Sequence, residues 1–343
     1  NLAIYGGATG LNNFCDEGKY FGKYWDVSGS GAAVTFPVRP GKKPEPGEKQ
    51  CLQINVDPRT SYSDYIIDNI QNHLFTHPKQ RYTAIYYDLC NNYVSANELN
   101  GARFKDSFGR WVNRFIIMGL RSHFLRTMKI CHASGRDLIL HAHSYYNPLI
   151  HGFGDYWFPG EQYCSKMQEK RTPYYYSDHI PDDEYRSELN QHIKGSGILF
   201  LGNLARADKA YGNEEQTKAM CTKLLLNDVP MAMAYEDGKV INAIWGVWLK
   251  YDMDNAQVKF YYDQKEIRSS NPEVAVTYYT CTAGRTLAVI GNLSAQRQTA
   301  SIDLGGVKKD PSVTDEYEGK PMIVSGSSVS VDIPARHFMI IGL

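Results

Sequence analysis

The first 250 residues alternate short apolar runs with amphipathic stretches. Runs typical of β-strands lie at 2–5, 52–56, 83–88, 137–141, 152–155, 197–203 and 230–235. Helical periodicity falls between them, over about 62–75, 107–133 and 214–226. A repeated strand and helix order is typical of β/α units around a parallel sheet. The pattern therefore predicts a (β/α)8-type TIM barrel. The seven runs are one short of a closed barrel, so either a strand lies upstream of this sequence or one run is not evident from the pattern.

The periodicity changes from about residue 257 onward. Short alternating or apolar runs lie at 274–280, 286–292, 299–304, 329–333 and 338–341. Turn residues such as Gly305 and Gly306 separate them, and no helical period continues there. Alternation with a period of two predicts antiparallel strands. We therefore expect two domains, a catalytic barrel over residues 1–255 and a small antiparallel β-sandwich over residues 256–343.

Composition narrows the class of partner. The chain has 37 basic and 37 acidic side chains, so its net charge indicates neither nucleic acid nor anionic lipid as a partner. Its apolar runs are far shorter than the roughly 20 residues that span a bilayer. Tyrosine is frequent, with 25 copies against 13 phenylalanines, and an aromatic face with a hydroxyl suits a sugar ring. Tyrosine also packs at the margins of any core, so composition leaves packing and sugar binding both open. We expect no cofactor, and a periplasmic or secreted location.

Asp88 is the first candidate for chemistry. It closes the β-like run at 83–88, and the polar residues Asn91 and Asn92 follow it. In β/α barrels the reactive side chains lie at the carboxyl ends of strands, where the loops form a pocket. In many proteins an aspartate in this position only caps the next element or pairs with an arginine. The position alone therefore leaves a catalytic and a structural role open.

A second cluster follows the run at 137–141. It begins with His141 and His143 and continues with Asp155, Trp157 and Glu161 in a glycine-rich, aromatic stretch. Burial against aromatic rings raises the pKa of a carboxylic acid, as a general acid near neutral pH requires. The two histidines share a strand face, so a metal site is an alternative. The seven cysteines are scattered along the chain and indicate neither a zinc ribbon nor a disulfide scaffold.

These residues carry a family resemblance. Tyr86-Tyr87-Asp88, the strand with His141, and the loop from Phe153 to Gln162 resemble glycoside-hydrolase-type (β/α) barrels, in particular uncharacterised bacterial relatives of glycoside hydrolase family 123. The C-terminal stretch 331–338 resembles the β-sandwich that follows the barrel in α-galactosidase-like enzymes. Family 123 enzymes use an adjacent Asp-Glu pair, whereas Leu89 follows Asp88 in this chain.

The resemblance implies a glycoside hydrolase that acts on an oligosaccharide or glycan through two carboxylates, with retention of configuration. Asp88 is expected as nucleophile or transition-state stabiliser, and Asp155 or Glu161 as general acid and base. The expected substrate-binding residues are Tyr87, Asn91, His141, His143 and Trp157. Three alternatives remain: a non-catalytic carbohydrate-binding protein, a metal-dependent hydrolase that uses His141 and His143, and another hydrolytic class on the same scaffold.

Overall fold

A computed structural model describes residues 3–12, 15–31, 34–35, 50–77, 82–141, 147–193, 195–307 and 312–343. The chain forms two compact units. The first contains residues 1–159 and 194–197, and the second contains residues 160–193 and 198–343. The expected domain boundary near residue 255 falls inside the second unit, and a separate sandwich domain over 256–343 stays a prediction.

A parallel sheet forms the centre of the first unit. Its strands β1 (Ala3–Gly7), β5 (Ala84–Asp88), β9 (Asp137–Leu140) and β10 (Tyr156–Trp157) lie side by side in that order. Gly197 extends the edge by donating its backbone NH to the Asp155 carbonyl at 2.8 Å. The predicted parallel strands are therefore confirmed in part, and their closure into an eight-stranded barrel stays a prediction.

Two small antiparallel sheets interrupt the predicted β/α order. One contains β2 (Gly10–Asn12), β3 (Val34–Thr35) and β4 (Gln50–Gln53), so the run at 52–56 does not supply a strand of the parallel sheet. The other contains β6 (Val94–Ser95), β7 (Arg103–Lys105) and β8 (Trp111–Phe115). The helix predicted from residue 107 begins only at Ile117, because the preceding residues pair as strands with exposed aromatic side chains.

Helices cover one face of the parallel sheet. They are α1 (Asp16–Trp25), α2 (Tyr62–Asn69), which continues as a π-helical turn over Ile70–Leu74, and α3 (Ile117–Ala133). Leu120 and Phe124 of α3 are fully buried and share a hydrophobic core with Ile85 and Leu138 of the sheet. This packing leaves the opposite face of the sheet for polar side chains.

The second unit begins with short helices and two longer ones. They are α4 (Cys164–Lys170), α5 (Tyr175–Asp178), α6 (Asp182–Ser187), α7 (Leu204–Ala207), α8 (Glu214–Leu226) and α9 (Gly238–Tyr251). The helix predicted at 214–226 is confirmed with the same bounds. Of the two predicted strands, 197–203 yields only β11 (Gly197–Ile198), and 230–235 yields a single parallel bridge between Phe200 and Met231.

The antiparallel strands predicted after residue 270 are confirmed. One sheet orders the strands β12 (Gln257–Lys259), β14 (Val274–Thr280), β15 (Thr286–Asn292), β21 (Phe338–Gly342), β17 (Thr314–Asp315) and β18 (Lys320–Pro321). The other orders β13 (Arg268–Ser269), β16 (Gln298–Asp303), β20 (Ser328–Ile333) and β19 (Val324–Ser325). Val276, Ile290 and Val331 share one core between the sheets, as in a β-sandwich. No described helix has the length and apolarity needed to cross a membrane.

Candidate functional site

One face of the first unit's parallel sheet carries aromatic and polar side chains. Alternate residues of a strand point to opposite faces, and Tyr5 is in register with Tyr86 while Gly7 is in register with Asp88. The rings of Tyr5 and Tyr86 stack with centroids 5.4 Å apart. The Tyr86 hydroxyl lies 2.6 Å from Nδ1 of His141. These side chains form a connected cluster, which we call the Asp88 cluster.

Asp88 ends its strand as a buried carboxylate that is 7% exposed. Its Oδ1 accepts the backbone NH of Leu89 at 2.6 Å, and its Oδ2 accepts the hydroxyl of Tyr5. Partial burial, followed by the hydrogen bond to Asp88, raises the pKa of Tyr5, so the phenol keeps its proton. Both carboxylate oxygens are therefore oriented by donors, while the Tyr5 ring is 65% exposed.

The turn after Asp88 has a strained backbone. Leu89 has φ near 58°, in the left-handed region, where a residue with a Cβ costs about 1–2 kcal/mol. Flanking hydrogen bonds hold the turn: Ala8 NH donates to the Asp88 carbonyl at 2.8 Å, and the Thr9 hydroxyl donates to the Leu89 carbonyl at 3.0 Å. Backbone strain of this kind is concentrated at functional sites, where it fixes one side-chain direction.

Two backbone hydrogen bonds and a ring contact fix the position of His141 in the Asp88 cluster. Its backbone NH donates to the Tyr87 carbonyl at 2.7 Å, and its carbonyl accepts the Cys90 NH at 3.0 Å. The ring contacts Phe158 edge to face, with centroids 5.4 Å apart. Asp88 and His141, both singled out in the sequence, therefore belong to one cluster. His143 lies outside the described residues.

Two asparagines follow the strained turn with unused acceptors. The Oδ1 atoms of Asn91 and Asn92 are buried and accept no hydrogen bond within the described part of the chain. Burial raises the pKa of the neighbouring Tyr93, and the side chains of Asn91 and Thr9 oppose that rise. Buried polar atoms normally have a partner, so these orphan acceptors, three and four residues after Asp88, fit a ligand that supplies hydroxyl donors. The sugar-binding role expected for Asn91 stays a prediction.

The two rings expected to stack on sugars are buried instead. Tyr87 is 3% exposed and packs on α3, with its ring centroid 5.4 Å from His123 and 6.0 Å from Phe124. It lies on the helix side of the sheet because it is one residue out of phase with Asp88. Trp157 is fully buried and stacks on His151 at 5.6 Å. Because both rings are buried, the expectation that they contact substrate is wrong.

Asp155 lies nearer the amino ends of the parallel strands than Asp88, and two strands away from it. It precedes β10, and its carboxylate accepts the Leu138 backbone NH and contacts Nε2 of His132, both at 2.8 Å. The register sets Asp155 three positions nearer the strands' amino ends than Asp88, about 10 Å along the sheet. The expectation that Asp155 ends a strand and shares a pocket with Asp88 is wrong, because the 3₁₀ turn at His151–Phe153 comes before the strand.

Glu161 belongs to the second unit and is paired there. It begins a short 3₁₀ turn (Glu161–Tyr163) and forms an ion pair with Arg206. Gly160 before it has φ near 134°, and a Cβ at that position would collide with the Leu201 carbonyl. Only glycine fits this approach, so the sequence fixes the direction in which Glu161 leaves the backbone.

Glu236 is a carboxylate that the sequence reading missed. Its Oε2 accepts the backbone NH groups of Ala234 and Tyr235 at 3.0 and 2.8 Å. Its Oε1 is buried and accepts no hydrogen bond from any described residue. Burial raises the pKa of Glu236, the property sought in a general acid. The signal was present, because Glu236 directly follows the run at 230–235, as Asp88 closes the run at 83–88.

The described residues contain no group of three or more histidine, cysteine, aspartate or glutamate side chains that could hold a metal ion. All seven cysteines lie in the described ranges and are free thiols. The metal-dependent alternative needs His143, which lies outside those ranges, so it stays a prediction.

Solved structures of glycoside hydrolases share this fold. A maltogenic alpha-amylase from Thermotoga neapolitana has a TM-score of 0.58 at 10% identity, with 99% of this chain and 77% of that chain covered. An alpha-amylase from Geobacillus thermoleovorans, complexed with acarbose, has a TM-score of 0.58 at 8% identity, with 99% and 76% covered. A debranching enzyme from Nostoc punctiforme has a TM-score of 0.51 at 12% identity, with 99% and 75% covered.

The likeness to these enzymes is one of structure, because the identities of 8–12% concern the fold and not the activity. No protein-family profile matches this sequence, and no curated protein sequence matches it. The glycoside-hydrolase fold expected from the sequence is thereby supported, whereas the likeness to family 123 stays a prediction.

Proposed function

We propose that this protein is a glycoside hydrolase that cleaves an oligosaccharide or glycan, with Asp88 as nucleophile or transition-state stabiliser. One observation carries the proposal: a buried carboxylate at the carboxyl end of a parallel strand, oriented on both oxygens by Tyr5 and Leu89. Its support is the fold shared with solved amylases and a debranching enzyme. A periplasmic or secreted location belongs to the same proposal.

The chemistry needs a carboxylate that faces the sugar's anomeric carbon and an acid that protonates the leaving oxygen. The proton on Tyr5 and the Leu89 NH hold the Asp88 carboxylate in one orientation, which lowers the cost of aligning it with the anomeric carbon. His141 and the orphan oxygen of Asn91 are proposed to bind sugar hydroxyls. Glu161 is the acid proposed from the sequence, and Glu236 is a second carboxylate for the variant screen, because burial raises its pKa.

The test is a hydrolysis screen with matched variants. Maltooligosaccharides, aryl glycosides and uronate-containing oligosaccharides are offered to the wild type and to Asp88→Asn, Glu161→Gln and Glu236→Gln. We expect Asp88→Asn to lose activity on the order of 10³-fold. The control is Asp16→Asn, an exposed carboxylate in the first turn of α1. An unchanged rate in Asp88→Asn eliminates the proposed role, and loss in one of the two glutamine variants identifies the acid.

Retention of configuration is part of the proposal. The anomer released first is read by proton NMR during hydrolysis, before mutarotation. A product with the substrate's configuration supports a nucleophilic role for Asp88, whereas an inverted product assigns it the role of base toward water.

A non-catalytic carbohydrate-binding protein is the second candidate. It is favoured by the position of Asp155, which leaves the Asp88 cluster without the second carboxylate that was expected there. Acarbose, the ligand in the Geobacillus enzyme structure, is a suitable probe in calorimetry. Binding that depends on Asp88, with no hydrolysis of any glycoside, would establish this candidate in place of the enzyme.

A further inference from the structure

The small sheet of β6, β8 and β7 presents an unusual exposed face. Trp111, Asn113 and Phe115 alternate along β8 and therefore share one face. In the adjacent strand Lys105 pairs directly with Trp111, and Arg103 pairs with Asn113. Directly paired antiparallel residues share a face. These five residues form what we call the aromatic-basic strip.

The rings of the strip are open to solvent. Trp111 is 50% exposed and Phe115 is 62% exposed, and Val94, paired with Phe115, is 47% exposed. Phe108, in the connection between β7 and β8, is 80% exposed. Four residues along a strand set Trp111 and Phe115 about 13 Å apart. A contiguous exposed aromatic surface with polar groups interspersed is typical of a binding surface.

The segment that contains the strip, residues 94–115, is more basic than the rest of the chain. Residues 94–115 contain four basic and two acidic side chains, whereas the whole chain is balanced at 37 and 37. Arg103 is paired with Glu98 at 3.3 Å, but Lys105 forms no ion pair with any carboxylate in the described residues. The unpaired ammonium group favours an anionic ligand.

The charged groups of Arg103 and Lys105 both lie beside the indole ring of Trp111. The Arg103 guanidinium lies 4.6 Å and the Lys105 ammonium 5.2 Å from the Trp111 ring centroid. These cation-π contacts hold the charges beside a ring that remains half exposed. A sugar ring that packs on Trp111 would therefore present its carboxylate or sulfate to two cations, with the Asn113 amide available for hydroxyls.

We propose that the aromatic-basic strip binds a strand of an anionic glycan, bearing carboxylate or sulfate groups. The proposal rests on the proposed function and deepens it, because it names the class of polysaccharide that this glycosidase docks. The rings lie in a row on an extended strand, which matches a linear chain of sugar units. The balanced charge of the whole chain, with 37 basic and 37 acidic side chains, disfavours nucleic acid and an anionic lipid surface as the occupant.

The test measures binding by the full chain, without requiring hydrolysis. Polygalacturonate supplies carboxylates and chondroitin sulfate supplies sulfates as well, while dextran is the neutral comparison. We expect binding to at least one anionic glycan that weakens with salt and is about tenfold or more weaker in Trp111→Ala and in Lys105→Glu. Tyr20→Ala is the matched control, since Tyr20 is 84% exposed on α1. Thermal unfolding of each variant checks its folding.

Three results would overturn the proposal: equal binding of dextran, binding that Trp111→Ala and Lys105→Glu leave unchanged, or tighter strip-dependent binding of single-stranded oligothymidine or of phosphatidylserine vesicles. The Asp88→Asn variant separates this proposal from the proposed function. If it binds the anionic glycan as the wild type does while no variant or wild type hydrolyses any glycoside, the strip stands and the enzyme activity fails. If glycosides are hydrolysed but no binding depends on the strip, the enzyme activity stands and the strip proposal fails.

Discussion

His123 on α3 is a fully buried histidine whose two ring nitrogens have no hydrogen-bond partner among the described residues. Its ring packs against Tyr87 and Phe124 with centroids 5.4 and 6.0 Å away. Burial, with a smaller contribution from Arg126, lowers the pKa of His123 to about 4. The side chain is therefore neutral in the folded protein at neutral pH, and packs as an aromatic residue.

This burial predicts a loss of stability in acid. The unfolded histidine takes up its proton below about pH 6.5, whereas the folded one does so only below about pH 4. Stability is therefore complete above pH 6.5, falls as the pH drops, and has lost about 3 kcal/mol from this residue below pH 4. His123→Leu should remove the part of the decline, about 2 kcal/mol, that falls between pH 7.5 and pH 5 in urea unfolding. The exposed His73→Leu is the control; an identical decline in both variants would refute the assignment.

Asp155 is predicted to stabilise the first unit. Its carboxylate contacts the Leu138 NH and His132, and its backbone joins β9 to Gly197. Loss of hydrogen bonds to a charged group costs about 2–3 kcal/mol. Asp155→Ala should lower the free energy of unfolding by this amount, whereas Asp137→Ala, exposed at the start of β9, should change it by less than about 0.5 kcal/mol. Urea unfolding followed by circular dichroism distinguishes the two variants, and equal effects would contradict the role.

At the scale of single elements, the contact between α8 and β15 depends on a glycine. A Cβ at Gly291 would lie 2.6 Å from Leu226 Cδ1 and 2.9 Å from Thr222 Cγ2, both on α8. Gly291 therefore permits the helix to approach the sheet closely. Gly246 in α9 is the opposite case, because nothing lies within 4 Å of its added Cβ.

The two glycines should respond in opposite directions to alanine. Gly291→Ala forces the buried side chains of Leu226 and Thr222 to shift and should cost about 1–3 kcal/mol. Gly246→Ala lies in an exposed helix interior and should add up to about 1 kcal/mol, because alanine has the higher helix propensity. Thermal unfolding of the two variants measures both signs. Destabilisation by Gly246→Ala, or tolerance of Gly291→Ala, would contradict the packing described.

Strands with long apolar and β-branched runs were predictable from the sequence, and irregular elements were not. The strands at 274–280 and 286–292 have the bounds that their β-branched runs predict. Asp155 was misassigned because the stretch around Gly152 and Gly154 has the composition of a strand end but forms a 3₁₀ turn. The start of α3 was misplaced because Trp111 and Phe115 have helical spacing yet lie exposed on a strand. Tertiary pairing decided both cases, and no local pattern encodes it.

The same contrast holds for the candidate site. Asp88, Asn91 and His141 were predictable because the carboxyl end of a strand is readable from a short apolar run. Glu236 follows a run that forms only an isolated bridge, and its importance depends on the burial of one oxygen. Its position directly after the run at 230–235 is readable from the sequence, whereas the burial of its single oxygen depends on side chains distant in sequence.

At the scale of the whole molecule, the sequence predicts a domain boundary near residue 255, whereas the second compact unit begins at residue 160. The two divisions lead to different expectations for a fragment of residues 256–343. The sheet face formed by Thr277, Tyr279, Leu287, Val289 and Ile340 is buried, and α8 covers it. The Thr277 hydroxyl donates to the Leu226 carbonyl at 2.7 Å, and the Tyr279 hydroxyl to the Leu225 carbonyl at 3.3 Å. A fragment of residues 256–343 lacks this helix.

We therefore expect the fragment 256–343 to fail as an independent domain. Exposing Leu287, Val289 and Ile340 costs about 1.5–3 kcal/mol each, which is comparable with the 5–15 kcal/mol that stabilises a whole domain. The fragment 160–343 keeps α8 and should unfold cooperatively, while 256–343 should aggregate or bind a hydrophobic dye without a cooperative transition. Circular dichroism melts and dye fluorescence compare the two. A cooperative melt of 256–343 at the midpoint of the longer fragment would restore the boundary at residue 255, because α8 would then add nothing to the fold of the sandwich.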